Sequence, residues 1–393
     1  MHFFQFNFSY SEIICFGALF LVFLYQMYFY ARYLNGAKRY SKRVQKPDTE
    51  FVTNQPPVSV IICAKNEEQN LKMFLPLVLS QQYADFEVIV IDDGSDDNTS
   101  YYLDSLKLSH PNLHSTFVPK STKNLSTKKL GVSLGIKAAK NELLLLIDAD
   151  CRPASDLWIA KMARNFTSRT EIILGYGAYN EEDTLLNRII TFDTLFTALQ
   201  YLGMAVARKA YMGVGRNLAY RKSTFYENGG FSPMLHLVSG DDDLFVNRAA
   251  TRTNTRIEIS PESITWSEPK HNFRDWMYQK IRHLSVSGNY KAKTKIQLLL
   301  EPFTRELFYA AFVVLLVFGI IFGNLLTCGV AILLFVARYF TQFFIINRAA
   351  RHFGGMRKYV FMLPVADIFV PLFNIFILTV KRPFKKGKNI FWK

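Results

Sequence analysis

The sequence predicts an α/β fold in which a mostly parallel sheet, covered by helices, is flanked by transmembrane helices. Two observations predict it. Residues 57–71 and 86–100 each read as an apolar strand that ends in a polar turn and enters a helix, and residues 142–150 supply a third strand of the same kind. Near-continuous apolar strands are expected where helices cover both faces of a parallel sheet. The second observation is the position of the apolar stretches that are too long for a strand, which lie at both ends of the 393-residue chain.

Residues 13–31 carry no charge and are about as long as a bilayer core is thick. No Lys or Arg precedes them, and Arg32, Lys38, Arg39, Lys42, Arg43 and Lys46 follow. This pattern reads as a retained anchor rather than a cleaved leader, with the N-terminus outside and the following chain cytoplasmic. Residues 307–347 hold a single charge, Arg338, and break at residues 322–325, as two helices joined by a tight turn would. Residues 359–380 are apolar again but contain Pro364, Asp367 and Pro371 and have basic residues on both sides. A re-entrant or interfacial segment is expected there in preference to a full span.

The net charge of +15 invites a nucleic-acid reading. Many of the basic residues, however, sit beside apolar segments, where anionic headgroups attract them, so a lipid bilayer is the expected partner and nucleic acid is not. Cys15, Cys63, Cys151 and Cys328 show no paired spacing and predict neither a disulfide framework nor a zinc site.

The soluble middle of the chain carries its acids at strand ends, where open α/β sheets bind their ligands. Asp148 and Asp150 follow the apolar run 143–147 and are spaced so that both could reach one hard cation such as Mg²⁺ or Mn²⁺. Asp92 and Asp93 precede a Gly-Ser turn and could accept from a uracil N–H and ribose hydroxyls, with a capping turn through Ser95 and Asp96 as the plainer alternative. Lys128 opens a helix facing the same edge and could pair with phosphate. Asp241, Asp242 and Asp243 repel one another too strongly for an apolar core, so they cap a helix or line a cation-bearing cleft.

Five stretches, VSVIICAKNEEQNL, VIVIDDGSDDNT, LLLIDADCRP, GVGRNLAYRKSTFYENGGF and GDDDLF, in this order and spacing, resemble the glycosyltransferase family 2 catalytic domain of the GT-A fold, a Rossmann-like nucleotide-sugar-binding architecture. With its flanking anchors the chain is similar to the membrane-bound synthase branch of that family. The resemblance implies that Ala64, Asn66 and Glu67 flank the nucleotide base, that Asp92 and Asp93 hold uracil and ribose, and that Asp148 and Asp150 bind the donor diphosphate through Mg²⁺ or Mn²⁺ with help from Lys128. It implies that Asp242 is the general base, with Asp241 where the family usually has Glu; three adjacent acids leave that role open to more than one. Gln279, Lys280 and Arg282 resemble the family's Q-x-x-R-W motif, in which His283 here replaces the Trp. The same stretch also reads as an amphipathic interface helix. Gly213, Gly215, Arg216, Asn217, Gly229 and Gly230 fall where the family shapes its sugar and acceptor pocket.

The expected organisation is an anchor over residues 1–34, a basic cytoplasmic linker over 35–55, the GT-A domain over 56–270, and interface helices over 271–304. A transmembrane hairpin over 305–347 comes next, then a basic loop, an apolar re-entrant or transmembrane segment and a basic tail over 348–393. The expected activity is inverting transfer from a nucleotide-sugar donor, a UDP-sugar by preference, to a lipid-linked or surface-glycan acceptor. A processive polysaccharide synthase is the second reading, and a non-catalytic nucleotide-sugar-binding membrane protein a distant third. Compact size suggests a bacterial inner membrane with the catalytic domain in the cytoplasm.

Overall fold

The computed structural model describes residues 10–46, 49–118, 127–237 and 239–380. The basic tail expected after residue 380 lies outside them. The chain enters as α1 (Tyr10–Phe29), passes through a π-helical turn (Tyr30–Leu34) and continues as α2 (Gly36–Val44), so the first part of the expected linker is helix. Then β1 (Val58–Ala64), α3 (Glu68–Leu79), β2 (Phe86–Asp92), α4 (Thr99–Lys107), β3 (Leu113–Phe117), α5 (Thr127–Ala138) and β4 (Leu143–Leu146) alternate in the order the apolar runs predict.

The second half is less regular. It comprises β5 (Cys151–Pro153), α6 (Trp158–Ala163), β6 (Ile172–Leu174), β7 (Gly177–Tyr179), α7 (Leu185–Val206), β8 (Leu218–Arg221), α8 (Lys222–Glu227), α9 (Asp243–Ala249), β9 (Thr255–Ile257) and β10 (Thr265–Ser267). Four helices close the chain: α10 (Phe273–Ser287), α11 (Ala292–Ile321), α12 (Leu325–His352) and α13 (Met362–Val380).

The main sheet has the order β3-β2-β1-β4-β8-β6-β9, in which β8 alone among the described strands runs against the rest. A small second sheet, β5-β10-β7, lies at its edge. Every residue of β1 is buried, because alternate side chains serve two cores. Val58, Val60 and Ile62 join Val88, Val90, Leu143 and Leu145 on one face. Ile61 and Cys63 join Ile89, Ile91, Leu144 and Leu146 on the other. That second cluster runs on without a break through α7 to Phe29, Tyr30 and Tyr33 of the anchor.

Among the described residues, five helical stretches are long and apolar enough to cross a membrane: residues 12–44, α7, α11, α12 and residues 362–379. In α7, 67% of the apolar window is buried inside the protein, against 22–39% in the others, so its hydrophobicity serves interior packing. Its Gly203 lies directly against the π-helical turn: a Cβ built there would stand 1.8 Å from the Tyr33 carbonyl oxygen, and one on Gly36 would stand 2.7 Å from the Gly203 Cα. Small residues at such a crossing let two backbones touch.

The expected break between α11 and α12 is a turn through Gly323, at φ +65°, with the Asn324 side chain accepting from the Thr327 N–H. The last apolar segment differs from expectation. Despite its two prolines it is one continuous helix, since Pro364 falls in the first turn, where no intrahelical N–H bond is lost, and only Pro371 is interior. Its Asp367 is fully buried and accepts from Arg338 at 2.6 Å, Arg305 at 3.1 Å, Gln342 at 2.8 Å and Tyr309 at 2.9 Å. Arg305 also pairs with Glu301, and Arg338 reaches Gln26 of α1 at 3.3 Å. Two arginines and two acids from three helices thus neutralise one another in the middle of the bundle, as charges at membrane depth require.

Two outcomes test this packing. Gly203→Ala forces the anchor and α7 apart and should lower stability by about 1–3 kcal/mol, seen as a lower unfolding temperature in detergent. Asp367→Asn leaves two buried guanidiniums facing one carboxylate and should destabilise by about 3 kcal/mol or more, whereas the double change Asp367→Leu/Arg338→Leu should recover part of the loss.

Candidate active site

β4 delivers its chain to the sheet edge at Asp148 and Asp150. One carboxylate oxygen from each lies within 4.8 Å of the other and of the Cys151 Sγ. The Cys151 thiol donates to Asp150 at 3.3 Å, and burial pushes its pKa well up, so the donor set offered to a cation is the two carboxylates. Carboxylate oxygens are the ligand type that suits Mg²⁺ or Mn²⁺. Lys128, in the first turn of α5, donates to Asp148 at 2.9 Å and lies 3.6 Å from Asp241.

The three adjacent acids are separated by their partners. Asp242 caps α9, accepting from the Asp243 N–H at 2.8 Å, and its other oxygen accepts from the Gly215 N–H at 2.8 Å. Asp243 is buried and accepts from the Tyr290 hydroxyl at 2.7 Å and from the Leu244 N–H at 2.7 Å, which gives it a structural task. The preceding loop is tied down by Lys129, whose fully buried ammonium donates to the carbonyls of Met234, Leu237 and Ser239 at 2.7–2.8 Å. Gly240 turns the chain at φ +100°, a conformation suited to glycine. A Cβ built on Gly215 would lie 3.6 Å from an Asp242 oxygen and 4.0 Å from an Asp148 oxygen, so both carboxylates face one point.

The residues expected at the nucleotide base lie at the ends of β1 and β2. Ala64 is buried and its carbonyl accepts from the Asp93 N–H at 2.8 Å. Asn66, at φ +55°, joins the two loops: its N–H donates to Ser95 at 2.8 Å and its side-chain oxygen accepts from the Asp96 N–H at 2.8 Å. Glu67 accepts from Asn70 at 2.5 Å, and burial holds its carboxyl above the usual range. Asp92 accepts from the Ser95 N–H at 2.8 Å and from the Ser100 hydroxyl, so its oxygens serve the turn itself. Asp93 is buried beside it.

Arg216 stacks on the Tyr179 ring with its guanidinium carbon 4.2 Å from the centroid, and donates to Ser267 at 2.8 Å and to the Gly177 carbonyl at 3.0 Å. Gln279 donates to the Tyr179 hydroxyl at 2.9 Å, and Lys280 pairs with Asp193 at 2.8 Å. Tyr179 and Asp193, outside any motif, carried no sequence signal. The Arg282 guanidinium acts on Asp148 through its charge. The exposed His283 lines a cavity of about 590 Å³ that begins at Asp242, Arg216 and Gln279 and extends between α7, α10, α11 and α13.

Electrostatics differentiate the acids. Burial raises Asp148, but the Lys128 ion pair outweighs it and holds Asp148 below the usual carboxylate range. Asp150 is pushed up by burial and by Asp148. Asp242 is likewise raised, by burial and by Asp241. Asp243 is raised furthest, by burial and then by Asp242, to about 8. A folded pKa of about 8 against an ordinary unfolded value means that the folded state binds the extra proton in between. The contribution of Asp243 to stability in metal-free buffer should therefore fall as pH rises from about 4 to about 8 and level off above that. Asp243→Asn should flatten this slope, as unfolding temperatures at both ends of the window will report.

The family model for Glycosyl transferase family 2 matches residues 59–229. The glycosyltransferase AglE of Haloferax volcanii is 27% identical over 199 residues, 49% of this chain and 61% of AglE. The poly-beta-1,6-N-acetyl-D-glucosamine synthase of Staphylococcus epidermidis is 32% identical over 93 residues, 24% of this chain and 21% of the synthase. The chain thus spans less than two thirds of either relative. Among solved structures, the mannosyltransferase PcManGT from Pyrobaculum calidifontis superposes with a TM-score of 0.58 at 17% identity, covering 96% of this chain and 99% of its own. That likeness extends the shared fold beyond the matched segment and into the apolar helices. Residues 59–229 of this chain are thus similar to glycosyltransferase family 2, and the chain has the GT-A fold.

Proposed function

We propose that this chain is a membrane-anchored, inverting glycosyltransferase that moves a sugar from a nucleotide-sugar donor to a hydroxyl of a lipid-linked or surface-glycan acceptor. The observation that carries this reading is the convergence of Asp148 and Asp242 on the backbone at Gly215, within 4.0 Å of one point, with Asp242 also lining the large cavity. The Pyrobaculum structure was solved with GDP-Man and Mn²⁺. A nucleotide sugar and a divalent cation are the donor and cofactor proposed here, with a UDP-sugar as the preferred donor.

The donor diphosphate would lie over Asp148 and Asp150, which would hold Mg²⁺ or Mn²⁺. When bound, that ion neutralises charge developing on the leaving diphosphate. Lys128, kept cationic by Asp148 and Asp241, adds a fixed positive charge at the same place. Arg216, positioned by Tyr179 and Ser267, is a second such charge. Asp242 is oriented by two backbone N–H groups, and its raised pKa makes it a stronger base than an exposed carboxylate. The acceptor oxygen bonds to the anomeric carbon as its proton passes to Asp242, and the bond to the donor phosphate breaks with its electron pair leaving on the nucleoside diphosphate. One displacement inverts the anomeric centre. With Asp243 held by Tyr290 and Asp241 beside Lys128, Asp242 is the member of the trio proposed as the base.

Processive synthesis is the second reading, favoured by the match to the Staphylococcus epidermidis synthase. Against it stands the neutralised cluster of Arg305, Arg338, Glu301 and Asp367, which fills the bundle interior where a polymer would have to pass. Product length on a defined acceptor separates the two. The positive-inside pattern supports a catalytic domain on the cytoplasmic face.

Asp242→Asn should lower transfer by about 10²–10⁴-fold while donor binding persists, and Asp150→Ala should abolish metal-dependent nucleotide release. Both are read by nucleoside diphosphate release across a panel of sugar nucleotides.

A further inference from the structure

The 590 Å³ cavity changes character along its length. At one end it is lined by Asp242, Arg216 and Lys280, beside the proposed chemistry. At the other it is lined by Leu299 of α11 and by Ile375 and Leu378 of α13. Those three side chains are 64%, 49% and 40% exposed and stand on helices long and apolar enough to cross a membrane. The cavity therefore joins a carboxylate proposed as a base to an exposed apolar surface on two helices of membrane-spanning length and composition. Its inner wall includes Glu301 and Arg305, members of the paired intramembrane cluster, so the space is walled off toward the bundle centre and its apolar end opens sideways.

We propose that this cavity receives a lipid-linked saccharide laterally from the bilayer, with its hydrocarbon tail entering between α11 and α13. Its phosphate lies near Lys280 and Lys295, and a sugar hydroxyl reaches Asp242. The inference rests on the transferase reading above and narrows its acceptor from glycans in general to those carried on a lipid. Three features select this occupant. A hydroxyl nucleophile needs a base, which a phosphate oxygen, already ionised, does not. The cavity wall also carries the Lys295 ammonium, which suits a phosphate, while Lys280 is paired with Asp193. The rim is continuous with a lipid-facing surface, so a long tail keeps its hydrocarbon environment from bilayer to site, and a soluble glycan has no use for that end.

The test uses the full chain in nanodiscs and a long-chain prenyl diphosphate-linked monosaccharide bearing a diazirine on its tail. Crosslinks should map to the peptides holding Leu299 and Ile375. Unlabelled long-chain lipid-linked saccharide should compete, whereas phosphatidylglycerol and the same saccharide on a short, water-soluble chain should not. Leu299→Trp/Ile375→Trp, which fills the mouth, should lower labelling by about tenfold. Unchanged binding of free UDP or GDP to that variant shows that it has folded. Labelling elsewhere, labelling competed by phosphatidylglycerol, or labelling untouched by the double variant overturns the proposal. Nucleotide binding without cavity labelling sinks this inference alone; cavity labelling without nucleotide binding sinks the transferase reading instead.

Discussion

Four carboxylates, those of Asp148, Asp150, Asp241 and Asp242, meet at one edge of the sheet, and their mutual repulsion is the constraint to which the surrounding structure answers. Lys128 is the main reply, since it touches one acid from each half of the domain, Asp148 after β4 and Asp241 before α9. It thereby closes the cleft electrostatically as well as sterically. Lys129, the next residue, points the other way and uses three carbonyls to hold the loop that brings the second set of acids in. Two adjacent lysines thus divide the work: one neutralises the acids, and the other fixes the loop that carries them.

The membrane side obeys a parallel rule with different parts. Charges cannot be left alone among apolar helices, and Arg305 and Arg338 each find an acid there. Because Arg305 and Glu301 also wall the cavity below Asp242, the polar interior of the bundle and the proposed reaction chamber share a boundary. The apolar core of the sheet likewise runs through α7 into the anchor, so domain and membrane helices are packed as one body.

Much of this was legible in the chain. Strands β1, β2 and β4 are apolar runs that a two-faced parallel sheet needs, and Asp92, Asp93, Asp148 and Asp150 sit at their ends because the pattern changes there from apolar to acidic. The long apolar stretches marked α1, α11 and α12 by length alone. Less legible was anything set by distant packing. The role of α7 was hidden because an apolar helix inside a protein and one inside a membrane read alike. The continuity of α13 was obscured by its prolines, one of which is harmless in a first turn. Asp241, Asp242 and Asp243 look equivalent in sequence; Tyr290, Gly215 and Lys128 tell them apart, and each arrives from elsewhere in the chain. Arg338 and Asp367 were visible singly, but their pairing is a property of the bundle.

The crossing of Gly36 and Gly203 beside the π-helical turn constrains the anchor as well as the domain. A transmembrane helix joined to its domain by a loose tether can be exchanged for another of similar hydrophobicity, since only its depth matters. Here α1 passes through the π-helical turn directly into contact with α7, and each residue inserted into it would rotate one end against the other by about 100°. Its rotational phase, set at one backbone contact, fixes which face of α1 meets α11 and how the sheet is oriented against the apolar helices. The anchor therefore behaves as a spline rather than a leash.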